Sequence, residues 1–165
     1  MGKVFLLQKT EFTNDLQIPS NYILKKLLNE KEATEFLVIQ EQISKEITEE
    51  IGVLHKEYLT KKNKYHPNGL IFCISKNDND ECVGYGYGNI DYDNRNFFYI
   101  NTIGVRYDYR KKGIGTKIKI ALIGKAFENP QITCIKAITQ IDNLITLKIN
   151  EKLGFNGIET NEMEK

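Results

Sequence analysis

Apolar positions recur along this chain with two different periods, and the switches between them mark out its elements. Val4 to Leu7 is a short apolar patch followed by a mixed stretch that stops at Pro19-Ser20, so residues 1–20 read as an appended arm that lies on the domain or frays. Tyr22 to Leu28 has the composition of a strand, turned at Asn29 to Lys31. From Glu32 the period lengthens. Ala33, Phe36, Ile39, Ile43, Ile47, Ile51, Leu54 and Tyr58 recur at three- and four-residue steps, the spacing of one or two amphipathic helices, with Gly52 as the weakest point.

Beyond the turn at His66-Pro67-Asn68-Gly69 the pattern shortens again. Leu70 to Ser75 is of strand length, and Asn77 to Asp80 is a polar hairpin loop into Cys82 to Ile90. That second strand alternates glycine with larger residues, placing Gly84, Gly86 and Gly88 on one face, where a close neighbour is expected. Asp91 to Asn96 turns the chain into a central strand, Phe97 to Val105, with Gly104 near its end as the expected site of a bulge. A helix follows with Ile114, Ile118, Ala121 and Leu122 on one face and Lys117, Lys119 and Lys125 elsewhere, ending at Asn129-Pro130. Thr133 to Thr139 is the next strand, Asn143 to Leu153 the last helix with Gly154 as its stop, and Phe155 opens a short terminal strand. The order β-α-α-β-β-β-α-β-α-β predicts an α/β fold, a mixed sheet flanked by helices.

Composition narrows the classes. A chain of 165 residues with 41% hydrophobic residues suits one domain with a single core. The net charge of +1 offers no broad field to a nucleic acid or an anionic membrane, so any anion site must be local. No apolar run approaches the ~20 residues of a membrane span. Cys73, Cys82 and Cys134 lack the CxxC spacing of a zinc site or the even number of a disulfide framework, and a cytoplasmic location is expected.

The stretch that carries chemistry runs from Asn101 to Thr116. A strand ends at Val105, three cations follow at Arg110, Lys111 and Lys112, and Gly113 and Gly115 open a helix. The first amides of a helix lack intrahelical partners and sit at the positive end of its dipole, and glycine lets an anion approach them. Backbone amides from Lys111 to Thr116, with the Thr116 hydroxyl, suit a pyrophosphate that the cations neutralise. Taken alone, the loop is equally a glycine-containing turn with exposed cations. It is neither a Walker loop nor a dinucleotide fingerprint. In the last helix Asn143, Thr146 and Asn150 fall in one narrow sector amid apolar neighbours, a polar stripe whose partners come from the protein or from a ligand.

Arg110-x-x-Gly113-x-Gly115, followed downstream by Asn143 and by Asn150-Glu151-Lys152-Leu153-Gly154-Phe155, resembles the GNAT family of acetyl-CoA-dependent N-acetyltransferases. The resemblance spans roughly residues 21–165 and implies a GNAT-like domain there. It implies that the Arg110 to Gly115 loop, Ile114 included, holds the pyrophosphate of acetyl-CoA, and that Asn143 binds the pantetheine arm. The thioester arm would enter a gap beside the central strand, where backbone amides of Ile103, Gly104 and Val105 would stabilise an oxyanion. Relatives often carry a tyrosine, as acid to the departing thiolate, where this chain has Asn150. An amide cannot fill that role near neutral pH, so Asn150 is expected to position the CoA sulfur.

The resulting expectation is an N-acetyltransferase acting on a primary amine of an unidentified acceptor, without metal. The central strand has no carboxylate, leaving Asp91, Asp93 and Glu57 as candidate bases; His55 and His66 have no metal or triad spacing. The main rival is an acyl-CoA-binding regulatory module with little catalysis. A nucleic-acid reading through Lys61 to Lys64 and Arg110 to Lys112 would require strongly salt-dependent binding.

Overall fold

The computed structural model of the chain describes residues 2–26, 69–79, 81–91 and 93–158. The helices expected between Glu32 and Tyr58, with Glu57, His55, His66 and the Lys61 to Lys64 cluster, lie outside the described residues. The remainder runs β1 (Gly2–Gln8), β2 (Tyr22–Lys26), β3 (Gly69–Lys76), β4 (Cys82–Ile90), β5 (Phe97–Val105), α1 (Ile114–Phe127), β6 (Cys134–Gln140), α2 (Leu144–Leu153) and β7 (Asn156–Ile158). Seven strands form one mixed sheet in the order β2-β3-β4-β5-β6-β1-β7. Among the described strands only β5 and β6 pair in parallel, with α1 as the crossover that a parallel pair requires.

The first strand departs from the expected arm. Gly2–Gln8 pairs along its whole length with β6, from Gly2 opposite Gln140 to Gln8 opposite Cys134, and on its other edge with β7. Val4, Phe5 and Leu7 are buried because this strand has neighbours on both edges and packing on both faces. The following segment also packs down, with the Phe12 ring 5.6 Å from that of Phe127 and Leu16 and Ile18 against the core.

One face of the sheet packs on α1, which is buried nearly all round: Ile114, Ile118, Ile120, Ala121, Leu122, Ile123, Ala126 and Phe127 are all in the interior. The glycine face of β4 is what lets α1 come so close. A Cβ on Gly84 would lie 3.0 Å from both Ile114 and Ile118, and one on Gly86 would strike Ile118 and come within 3.0 Å of Leu122. Helix packing therefore accounts for Gly84 and Gly86, while a Cβ on Gly88 would strike the Phe98 ring of β5. On the opposite face Ile71, Cys73, Tyr85 and Tyr87 form a second buried cluster. There burial pushes the Tyr85 hydroxyl up to about 12, against the pull of its hydrogen bond with Thr102.

Two features of β5 set up the site. Its pairing with β4 slips between Tyr87 and Gly88, which face Thr102 and Ile100, so Asn101 is the extra residue. The bulge thus falls at Asn101, three residues before the glycine where it was expected, and Gly104 pairs regularly with Tyr85. Next, β5 pairs with β6 only from Phe97 to Ile100, opposite Cys134 to Ala137. Past Ile100 the two strands part, and Asn101 to Val105 line the opening on one side.

Candidate active site

The loop after β5 folds around two left-handed residues. Tyr107–Tyr109 makes a turn of 3-10 helix, Lys111 has φ 65°, and Gly113 has φ 80° at the N-cap of α1. Among the described residues Lys111 is the only non-glycine with positive φ, strain of the kind that collects at ligand sites. Gly113, as N-cap, has no side chain to cap α1. The Gly113 carbonyl accepts from Lys117, so the amides of Ile114, Gly115 and Thr116 precede the first intrahelical bond. A curled backbone ahead of uncapped amides is an anion cradle.

The cations divide their work. Arg110 Nε donates to the Val105 carbonyl at 3.0 Å, and the Arg110 guanidinium lies 5.4 Å from the Tyr107 ring. Arg110 thus staples the loop to the end of β5, a role beyond simple neutralisation. Lys111 and Lys112 are exposed, and Lys112 lies 5.2 Å over the Tyr109 ring. Arg106 pairs with Glu81 at 2.9 Å, tying the end of β5 to the start of β4. Gly115 faces the opening: a Cβ there would meet Val105 at 3.4 Å and Ile103 at 3.7 Å. The loop, the opening and the Ile103 to Val105 backbone are therefore contiguous.

In α2 the expected polar stripe divides. Asn143 is the N-cap, its side chain accepting from the Thr146 amide at 3.3 Å, and it remains exposed. Asn150 is fully buried. Its oxygen accepts from Lys119 Nζ, and its amide nitrogen donates to Thr139 Oγ1 at 3.1 Å. Lys119 also lies 5.0 Å over the Phe155 ring, and burial drags its ammonium down to about 8. Lys119 and Thr139 were not among the expected site residues. The one available signal was a single cation inside Ile118-Lys119-Ile120-Ala121-Leu122-Ile123, a run apolar on every helical face.

The candidate bases on the β4–β5 turn are in the wrong place. The Asp91 amide bonds the Phe97 carbonyl at 2.9 Å, at the start of β5, and Ile103 lies six strand steps beyond Phe97, about 20 Å. Asp91 instead faces Lys136 at 3.7 Å, and Asp93 is exposed in the same turn. Nearer the opening, Asn101 Nδ2 reaches Asn89 Oδ1 at 3.5 Å, while the buried Asn101 Oδ1 has no donor among the described residues. The described residues bring together no group of three metal-ligating side chains, and none of their helices is long and apolar enough to cross a membrane.

An uncapped helix N-terminus beside a parted parallel strand pair is the architecture of an acyltransferase of the GNAT class. The model of the acetyltransferase (GNAT) family matches residues 25–155, and the chain belongs to that family. No curated protein sequence matches it. Among solved structures it is similar to a tandem GNAT protein from the clavulanic acid biosynthesis pathway, with TM-score 0.68 and 14% identity over 94% of this chain and 49% of that one. A GCN5-related N-acetyltransferase-like protein from Streptococcus suis gives TM-score 0.63 and 18% identity, over 96% of this chain and 58% of the other. An aminoglycoside acetyltransferase from an uncultured soil metagenomic sample gives TM-score 0.61 and 15% identity, covering 84% and 90%. The chain spans about half the length of the first of these, and at such identities the likeness is one of fold.

Proposed function

We propose that this chain is an N-acetyltransferase that moves the acetyl group of acetyl-CoA to a primary amine by direct attack on the thioester. The observation that carries the reading is the left-handed Gly113, which leaves the amides of Ile114, Gly115 and Thr116 uncapped beside the β5–β6 opening. Arg110, Lys111 and Lys112 supply positive charge, the amides hold the pyrophosphate, and Asn143 lies on the path of the pantetheine arm. Backbone amides of Ile103, Gly104 and Val105 polarise the thioester oxygen. A cytoplasmic setting belongs to the same reading, supported by three cysteines that form no disulfide with one another.

A second reading, an acyl-CoA-binding module with little turnover, is favoured by Asn150 standing where relatives place an acid and by the absence of a carboxylate in β5. Thermal unfolding tests the shared element. Acetyl-CoA at a hundredfold excess over Kd stabilises the folded state by about 2.7 kcal/mol, raising Tm by roughly 5 to 10 °C, while NAD and ATP do little. Turnover against a panel of amines then separates enzyme from module: binding without transfer to any amine selects the second reading. A larger shift with NAD or ATP overturns both.

A further inference from the structure

Among the described residues Lys119 is the only charged side chain that is buried, at 5% exposure. Burial lowers the pKa of its ammonium. Among the described residues the groups that meet it are neutral: Asn150 from α2 and the ring of Phe155, with Thr139 of β6 behind Asn150. An ammonium without a counter-ion in an interior costs several kcal/mol, and a methionine would fill the same space without that cost. Packing gives no reason for a lysine here.

The polar trio has a direction. An ammonium can only donate, so Lys119 fixes the Asn150 oxygen as acceptor, and the Asn150 nitrogen then donates to Thr139 Oγ1. Thr139, accepting there, keeps its own O–H for another acceptor, and the described residues provide none. Thr139 lies two residues past Ala137, the last β6 residue paired with β5, so the chain of hydrogen bonds ends where the strands part. Lys119 sits one helical turn below Gly115, whose open face looks onto Ile103 and Val105.

We propose that Lys119, acting through Asn150, presents the Thr139 hydroxyl to the sulfur of the acyl-CoA thioester. Lys119 and Asn150 are then positioning residues, and Thr139 is the group that touches the leaving thiolate. This rests on the acyl-transfer reading above. In the transfer the amine lone pair forms the C–N bond, and the C–S bond breaks with its electron pair passing to sulfur. The proton shed by nitrogen goes to solvent, and the thiolate takes its proton from solvent, so the relay moves none. Its effect is electrostatic: the ammonium polarises the amide and the hydroxyl towards developing negative charge, in an interior that screens little. An amide at position 150 is suited to that task, since it both accepts and donates.

The test uses CoA as the probe and reads the thiol of the bound molecule by thiolate absorbance, with the desulfo-CoA complex as blank for the protein's own thiols. In the wild type the bound thiol titrates about one unit or more below free CoA, the direction a nearby positive charge imposes. In Lys119→Met and in Thr139→Val that depression is lost, and in Thr139→Ser, which retains a hydroxyl, it persists. Should Lys119→Met not fold, the Thr139→Val and Thr139→Ser pair decides. A merely structural lysine would change stability and leave the bound thiol alone. Identical thiol titrations in wild type and in the folded Lys119→Met or Thr139→Val proteins overturn the relay and leave acyl transfer standing. A wild type that binds no CoA overturns both.

Discussion

The ammonium of Lys119 and the carboxamide of Asn150 meet in the interior although 31 residues separate them in sequence. Their contact joins α1 to α2, and the onward bond to Thr139 joins both helices to β6. Three elements are thus held together by polar groups that solvent does not reach. Interactions of this kind cost most when only one partner is removed.

Asn150→Ala leaves the Lys119 ammonium without its acceptor and Thr139 without its donor. A stability loss of about 3 kcal/mol is expected, lowering Tm by roughly 6 to 12 °C. Lys119→Met with Asn150→Leu should recover most of it, because no buried polar group is then stranded. Urea unfolding of wild type, Lys119→Met, Asn150→Leu and the protein carrying both changes forms a double-mutant cycle that measures the coupling, and additive effects would refute it. On the proposed function, kcat of Asn150→Ala falls several-fold rather than by the thousandfold of a lost general acid.

Stability should carry a signature of Lys119 in alkaline solution. Its folded-state pKa is about 8, against 10.5 for an ordinary lysine. Between those values the unfolded chain binds the extra proton, so this group's contribution to stability rises with pH. Below pH 8 both states are protonated and the full penalty, on the order of 3 kcal/mol, is present. Subtracting the Lys119→Met stability curve from the wild-type curve isolates this rise. A flat difference between pH 7 and 10.5 would show that Lys119 titrates normally.

Gly113 and Gly115 should respond differently to substitution. At φ 80° any L-residue in place of Gly113 is strained, so Gly113→Ala loses about 1 to 2 kcal/mol of stability whatever it does to binding. Gly115 has ordinary φ, and its Cβ would make only van der Waals contact with Val105 and Ile103. Gly115→Val should therefore fold while obstructing the anion's approach. Calorimetry should show acetyl-CoA affinity reduced at least about tenfold, or 1.4 kcal/mol. Unchanged affinity in the folded variant would remove the loop from the binding site.

Gly86→Val tests the close approach of α1 to the sheet. Valine is a better strand former than glycine, so β-propensity alone predicts stabilisation. The structure predicts the reverse, since the new side chain would strike Ile118 and Leu122. A loss of about 1 to 3 kcal/mol in denaturant unfolding is expected, and a gain would mean that the helix can move aside.

Local chemistry made much of this legible in the amino-acid string. Gly113 and Gly154 mark helix ends because left-handed backbone there favours glycine, and both adopt it, at φ 80° and 95°. The glycine alternation in β4 announced a close neighbour, and the spacing of Asn143 and Asn150 put them on one helix. The bulge at Asn101 was misplaced because it depends on how β4 and β5 register, which no local pattern shows. The distance of Asp91 from Ile103, by contrast, already follows from chain order, since the turn precedes Phe97.

By itself the sequence determined the order of the described elements from β2 onward, their boundaries within a few residues, and the glycine-opened turn from Arg110 into α1. Each depends on conformations available to neighbouring residues. Tertiary structure alone decided that Gly2–Gln8 is an inner strand, since its β6 partners lie 126 to 138 residues away, from Cys134 opposite Gln8 to Gln140 opposite Gly2. It also decided that Lys119 is an interior group. Its place in an apolar run hints at burial, but only α2 closing over Lys119 decides it, and burial fixes the cost of its charge and the partners that must answer it.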